Sequence, residues 1–543
     1  MPIDEADEQE SARLLGSDQR AEVEDIGAEE EALIDAIEEE ELSTRALAIV
    51  FLSLYVGIFL SALDSTVVAT LLSRIASDFS EFRSVSWIAT GYLIAQAATQ
   101  PLYGKLSDIF GRKSLLLLCN VLFGIGAVLC GIAPSLWWLV FGRIVSGAGG
   151  GGLSTLSVIT LSDIVPLRQR GILQGFGNIL YACGAAFGGV VGGILTEAVG
   201  WRWTFAMQGP VIVLSMIAIQ VNLNLPAIKK NGDVLKRIDF LGSFTLVSGL
   251  VLFLFGVSVG GNYYPWRSAI VVMPLSLSVI VLGCFVYVEL YIAREPIIPL
   301  RLLNNRTVAG SAFTSWFTTM VYFSNIFYTA IYMISVKGES PTKSGGSLMP
   351  QFIGSSLGSV VCGAYMRATG RYRLMTYLAM FSIVSGSALL STIGLHTSTT
   401  LVGSYLFFPG FGGGMYLTIT LVGLIAAVPH EYQAVCTSIQ YGFRGTGSTI
   451  GVAVAAAIFQ NRLVEKLHQR ITGPGSEDII KLVQDSVDSI NQVPEEYRMD
   501  ITQSYLDAIH AVLYTSTFMA LCAGTASLFM KEHVLHDKIN RSR

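Results

Sequence analysis

Residues Gly104–Ser114 read GKLSDIFGRKS, a charged reversal between two apolar runs at 86–106 and 114–133. Each run has about the 20 residues that a helix needs to cross a bilayer. Gly104 and Gly111 permit a tight reversal. Asp108 can face a helix N-terminus or a nearby cation, and Arg112 and Lys113 hold the turn at one membrane surface. The stretch is therefore the hairpin of two membrane spans. The same length rule gives about fourteen spans in all, at 46–72, 86–106, 114–133, 136–162, 171–195, 203–225, 239–259, 270–292, 308–335, 345–366, 374–394, 400–428, 434–460 and 506–530.

Composition agrees. Of 543 residues, 52% are hydrophobic and only 14% charged, where a soluble chain carries roughly 25% charged residues; mean hydropathy is +0.56. The fold class is all-α and polytopic. No basic patch suits nucleic acid. The N-terminus lacks the apolar core of a cleavable signal peptide, so the first span is expected to target the chain. The seven cysteines (Cys119, Cys130, Cys183, Cys284, Cys362, Cys436, Cys522) lie in apolar runs without metal-ligand spacing and read as buried structural thiols.

An even span count puts both termini on one side. Loops on that side hold fifteen basic residues, among them Lys105, Arg112, Lys113, Arg170, Arg237, Arg301 and Arg373, against six in the opposite short loops. The positive-inside rule makes that side cytosolic. The sequons at Asn305 and Asn540 fall on it, where they would not be glycosylated. Residues 1–45 form an acidic, disordered cytosolic tail, and 462–504 a partly helical loop on the far side.

Two charges interrupt the spans. Asp64 in FLSALDSTVVATLL (Phe59–Leu72) and Arg143 in FGRIVSGAGGGG (Phe141–Gly152) each lie about 12 Å from the far end of their helix. Equal depth and opposite sign predict a pair. Ser53, Gly57, Ser61 and Ser65 recur every four residues beside Asp64, which turns it inward toward a cavity. The pair reads either as a switch, in which protonation of Asp64 releases Arg143, or as a static contact that fixes helix packing; intramembrane charges favour the first. Arg444, flanked by Gly442, Gly445 and Gly447, is a second deep cation with a structural or gating role. Tyr92, Gln96, Asn178, Tyr181, Trp316, Tyr322 and Asn325 are further candidates to line a cavity. Gly184, Gly188 and Gly192 make a small-residue face in the fifth span, either for static packing or for two halves that rock. The sequence holds no HExxH, no phosphate loop and no nucleophile–base pattern, so neither an enzyme nor a cofactor or metal site is indicated. Energy then comes from a gradient, and a titrating carboxylate is the simplest proton carrier.

These residues resemble the major facilitator superfamily. GKLSDIFGRKS matches the family's loop signature, with Gly104, Asp108, Gly111, Arg112 and Lys113 in place. Arg143 to Gly149 matches that of the fourth helix. GAAFGGVVGG (Gly184–Gly193) resembles the antiporter signature of the fifth helix, with Gly189 where that signature has proline. LDSTVVATLL, GWRWTFAMQGP, IDFLGS and PIIPLRLLNNRTV look like the fourteen-span drug:proton antiporter branch, and within it like fungal vacuolar basic amino acid transporters. The resemblance implies six-helix bundles at 46–225 and 308–530, two extra helices at 226–307 outside the pathway, and a cytosolic tail at 531–543, with a central site that opens to each side in turn. It implies a proton-coupled antiporter carrying cationic amino acids into the vacuole. Rival readings are a multidrug or siderophore exporter of the plasma membrane and a nutrient sensor that moves nothing. Glu10, Leu14 and Leu15 resemble an acidic dileucine signal for a sorting adaptor, which favours the vacuolar membrane.

Overall fold

The computed structural model describes residues 44–79, 87–165, 167–223, 237–261, 264–293, 295–339, 341–472, 477, 479–480, 493–533 and 535. The sorting residues Glu10, Leu14 and Leu15 lie outside them. Fourteen long helices follow in order: α1 (Thr44–Phe79), α2 (Trp87–Phe110), α3 (Arg112–Gly131), α4 (Leu136–Ile164), α5 (Leu167–Ala198), α6 (Gln208–Asn222), α7 (Phe240–Val259), α8 (Ala269–Tyr291), α9 (Arg306–Ser335), α10 (Met349–Thr369), α11 (Arg373–Leu390), α12 (Thr399–Ala426), α13 (Gln433–Arg470) and α14 (Glu495–Leu528). A short helix, Trp201–Ala206, leads into α6. From Ser53 onward the described helices belong to one compact unit.

Local chemistry fixes several starts. Ser135, Asp239, Asn305 and Ser398 cap α4, α7, α9 and α12 by accepting a backbone N–H of the first turn. Helices also extend beyond the apolar runs. α1 continues to Phe79, seven residues past the expected end, and Trp201 donates to Asp78 in its last turn. α13 continues to Arg470 and α14 begins at Glu495, so much of the expected loop 462–504 is the ends of two helices. There Arg470 pairs with Asp507 at 2.7 Å.

Among the described residues, ten helical segments are apolar enough to cross a membrane by length and composition. The long helices left out are α2, α5, α9 and α10. Their lower hydropathy has a structural cause, because three of them meet partner helices across the middle of the molecule rather than lipid. α2 packs on α13 and α5 on α10, joining the first six helices to the last six. Each half is organised around a glycine-rich helix. A Cβ on Gly149 of α4 would stand 2.5 Å from the Phe123 amide of α3, and one on Gly412 of α12 would stand 2.7 Å from the Ala379 carbonyl of α11. Only glycine permits such approach, the usual way to bring helices together in lipid.

α7 and α8 pack on each other, and α7 also touches α2 and α13. Trp87 of α2 stacks on Phe255 of α7 at 5.4 Å. α8 leaves Met273, Val279 and Ile280 exposed, as a lipid-facing helix does. Of the cysteines, Cys119, Cys130, Cys362 and Cys436 are buried as expected, whereas Cys284 of α8 is exposed on that apolar face.

The two halves touch most closely at the end bearing Lys105, Arg112 and Arg170, here called the basic end. A Cβ on Gly363 of α10 would stand 2.5 Å from the Gly171 carbonyl of α5, and one on Gly104 of α2 would stand 2.6 Å from the Ala434 carbonyl of α13. Arg170 donates to Gln433 at 3.0 Å. Farther along, α5 and α10 flank an apolar cleft of about 480 Å³ lined by Ile179, Ala182, Cys183, Met349, Phe352 and Ile353. Gly363→Val should therefore wedge the basic end apart at a cost of about 1–3 kcal/mol. Thermal unfolding of the purified variant should drop, and a cysteine introduced at Gln433 should label faster than in the parent.

Candidate functional site

Asp64 and Arg143 meet. Arg143 Nη1 donates to Asp64 Oδ2 at 2.6 Å, Nη2 donates to the Asp64 carbonyl at 3.1 Å, and Nε donates to the Ile88 carbonyl at 3.3 Å. The other carboxylate oxygen accepts Gln208 Nε2 at 3.0 Å. The guanidinium lies over the Tyr92 ring at 4.3 Å, and the Tyr92 hydroxyl donates to the Ser61 carbonyl at 3.1 Å. Every partner comes from α1, α2, α4 or the start of α6. Arg143 is 0% exposed and Asp64 1%.

This geometry alters the expectation that Asp64 faces the central cavity. Two members of its small-residue stripe pack on α4 instead: Ser61 donates to the Gly150 carbonyl, and Gly57 sits against Leu153 and Ser157. A carboxylate at membrane depth is costly unless paired and fully hydrogen-bonded, and the first six helices supply all its partners. Tyr92 belongs to this sealed cluster as well. Gln96 lies beside Gly151 of α4. Asn325 is buried among the last six helices, where its carbonyl accepts Ser516 at 2.7 Å. Trp316 packs edge-on against Phe313 and Phe317, with its backbone against Gly447.

The remaining candidates gather between the halves. Asn178 of α5 donates to Ser359 of α10 at 2.6 Å. Tyr181, one turn on, hydrogen-bonds Ser65 of α1 and lies within electrostatic range of Arg444 and Tyr441 of α13 and of Tyr322 of α9. Tyr322 in turn meets Ser355 of α10. Arg444 lies over the Tyr441 ring at 4.7 Å, and its shielded Nη1 has no hydrogen-bond partner among the described residues. Polar side chains of α1, α5, α9, α10 and α13, from both halves, thus gather in one region, here called the chamber. Gly184 and Gly188 of α5 pack on α1 at Phe59 and Leu63.

At the basic end Arg112 donates to Asp163 of α4 at 2.9 Å and to Asp108 at 2.6 Å, and also to Ser107. It ties α2, α3 and α4 into one block. Gly111 makes the turn with φ of 91°, a conformation that favours glycine. Lys113 donates to the Gln220 carbonyl at the end of α6 at 2.8 Å. Glu295, in the segment between α8 and α9, accepts Lys105 at 2.8 Å and Arg237 at 2.9 Å. Gln208, Asp163 and Glu295 were not among the expected site residues. Gln208 had a signal, a lone amide in an apolar stretch; Asp163 in the last turn of α4 and Glu295 between α8 and α9 sit in polar stretches, where sequence gives no hint of a partner far along the chain.

A family model described as Major Facilitator Superfamily matches residues 54–455. The chain belongs to the major facilitator superfamily. It is 36% identical over 503 residues to the vacuolar membrane amino acid uptake transporter fnx2 of Schizosaccharomyces pombe, covering 92% of this chain and 87% of that one. It is also 36% identical over 509 residues to the multidrug resistance protein fnx1 of the same organism, covering 93% and 96%. Among solved structures, the proton:xylose symporter XylE aligns with a TM-score of 0.58 at 14% identity over 91% of this chain and 98% of that one, which shows the shared fold. The protein is a membrane carrier of the facilitator fold and not an enzyme.

Two outcomes follow for this carrier. Asp64→Asn or Arg143→Gln alone leaves a buried group without its partner, and should cost about 3–5 kcal/mol; the double variant should recover part of that in thermal unfolding. The Glu295 carboxyl is held at about 2, chiefly by the Arg237 hydrogen bond, against an ordinary 4.5. A carboxylate with a depressed folded pKa stabilises above its unfolded pKa and loses that contribution as pH falls through its folded value. The Glu295 link should hold at neutral pH and weaken from about pH 4.5 toward 2. Glu295→Gln should flatten that limb of the melting-temperature profile.

Proposed function

We propose that this carrier is a proton-coupled antiporter that moves basic amino acids from the cytosol into the vacuole by alternating access. Its basic end faces the cytosol, consistent with fifteen basic loop residues against six. Contacts between the halves cluster at that end, and α5 and α10 flank a cleft beyond it, so the conformation described is closed toward the cytosol. The likeness to fnx2, a vacuolar membrane amino acid uptake transporter, supports the cargo class and the membrane.

The observation that carries the reading is the sealed Asp64–Arg143 contact. A proton on Asp64 turns a charge pair into a neutral acid beside a buried cation. Uncompensated burial of that kind costs several kcal/mol, so the guanidinium must rehydrate or find another partner. Either response moves α4 relative to α1 and α2, which carry the other ends of the contact. The acidic lumen supplies the proton and the cytosol takes it back, and each passage changes which side the chamber faces. Protonation thus does mechanical work inside one half, without the carboxylate touching the cargo.

The test is uptake of labelled lysine into vesicles under an imposed proton gradient. Wild type should accumulate lysine and Asp64→Asn should lose gradient-driven accumulation; equal transport by the two would sink the coupling mechanism. The likeness to fnx1 favours a second reading, export of drug-like compounds. Drug resistance lost on deletion, with the protein at the cell surface, would select it. If lysine binds and nothing crosses, the protein is a sensor.

A further inference from the structure

Among the described residues, the chamber between the halves holds a cation with no ion-pair partner. Arg444 stands eleven residues into α13, about 16 Å from its start, near the middle of a bilayer. Tyr441 stacks under it and Tyr181 lies beside it, yet Nη1 is shielded from solvent and has no hydrogen-bond partner among the described residues. Arg143, the other deep arginine, has two contacts to Asp64 and one to a backbone carbonyl. Asp64 is paired elsewhere: its carboxylate accepts Arg143 and Gln208, and no ion pair joins it to Arg444 among the described residues. An arginine fork in a low-dielectric site calls for a planar anion. The polar groups that α5 and α9 bring to the same region are neutral: Tyr181, Tyr322, and Asn178, whose carbonyl accepts Gln174 at 3.2 Å.

We propose that Arg444 is the carboxylate-binding residue of the chamber: its guanidinium, stacked on Tyr441 and with Nη1 unpartnered among the described residues, receives the α-carboxylate of an amino acid. This rests on the amino acid reading above and deepens it. The site recognises the α-amino acid group, and the cationic side chain is tolerated at the neutral tyrosine and asparagine end. A cation without a carboxylate meets Arg444 as a like charge and is repelled. Arg444 is then a filter against drug-like cations.

Competition against labelled lysine on the purified, bilayer-reconstituted carrier decides it, with unlabelled lysine, lysine methyl ester, cadaverine and glutamine. Cadaverine is lysine without its carboxylate, and the ester masks its charge. Both should compete at least about 100-fold more weakly than lysine, the penalty expected when a buried polar group loses its partner. Arg444→Gln should bring lysine down to the level of cadaverine, and Arg444→Lys should restore part of the difference. Equal competition by cadaverine and lysine, or an undiminished preference for lysine in Arg444→Gln, overturns the assignment. Direct binding of the same compounds by thermal shift separates it from the cargo reading. If glutamine binds through Arg444 and lysine does not, the carboxylate role stands and the basic cargo falls. If only a lipophilic cation such as tetraphenylphosphonium binds, both fall. Should Arg444→Gln fail to fold, the wild-type comparison of lysine with cadaverine and the ester decides alone.

Discussion

A charge inside a bilayer must be paired, and the structure is arranged around that constraint. Arg143 cannot be fully buried without Asp64, and neither can sit at that depth unless α1, α2, α4 and the start of α6 converge on them. Convergence in turn requires small residues where backbones cross. Gly147 lies against the Tyr92 backbone, Gly150 beside the Tyr92 hydroxyl, and Gly149 against α3. The GAGGGG run of α4, which alone has the flavour of a nucleotide loop, is thus the packing that makes the ion pair affordable.

The second half repeats the packing and omits the pair. α12 carries its own glycine run against α10 and α11, but the described deep charge of α13, Arg444, faces the other half instead of a carboxylate. This asymmetry divides the work. In the proposed cycle, one half holds a self-contained pair whose protonation would strain its own helix packing. The other presents an unpaired cation to the chamber. Coupling need not pass through a shared residue; it needs only that strain in the first half shift the contacts that α2 makes with α13 and α5 with α10.

Much of this was legible in the sequence, for physical reasons that differ by feature. Spans are visible because lipid demands apolar length, and α2 was recognisable from its hairpin despite its lower hydropathy. The Asp64–Arg143 pair was predictable because depth is linear in residue number along a helix. Direction was not. The Ser53–Ser65 stripe marks a close-packed face, and periodicity cannot say whether that face meets a cavity or a neighbouring glycine helix. Tyr92 and Asn325 were misplaced from the chamber for the same reason. Partners such as Gln208, Asp163 and Glu295 depend on contacts between residues far apart in the chain, to which no local pattern points. The tail residues Glu10, Leu14 and Leu15 remain a sequence-level proposal for sorting to the vacuole.

The central claim is that Asp64 changes protonation during the cycle. Infrared difference spectroscopy of the reconstituted carrier measures this directly. Acidification should produce a carboxylic acid C=O band that disappears in Asp64→Asn and diminishes when lysine is added at constant pH. A spectrum in which no acid band depends on Asp64 across the working pH range would contradict the account, because the carboxylate would then be a permanent ion pair and the proton would have to travel by another group.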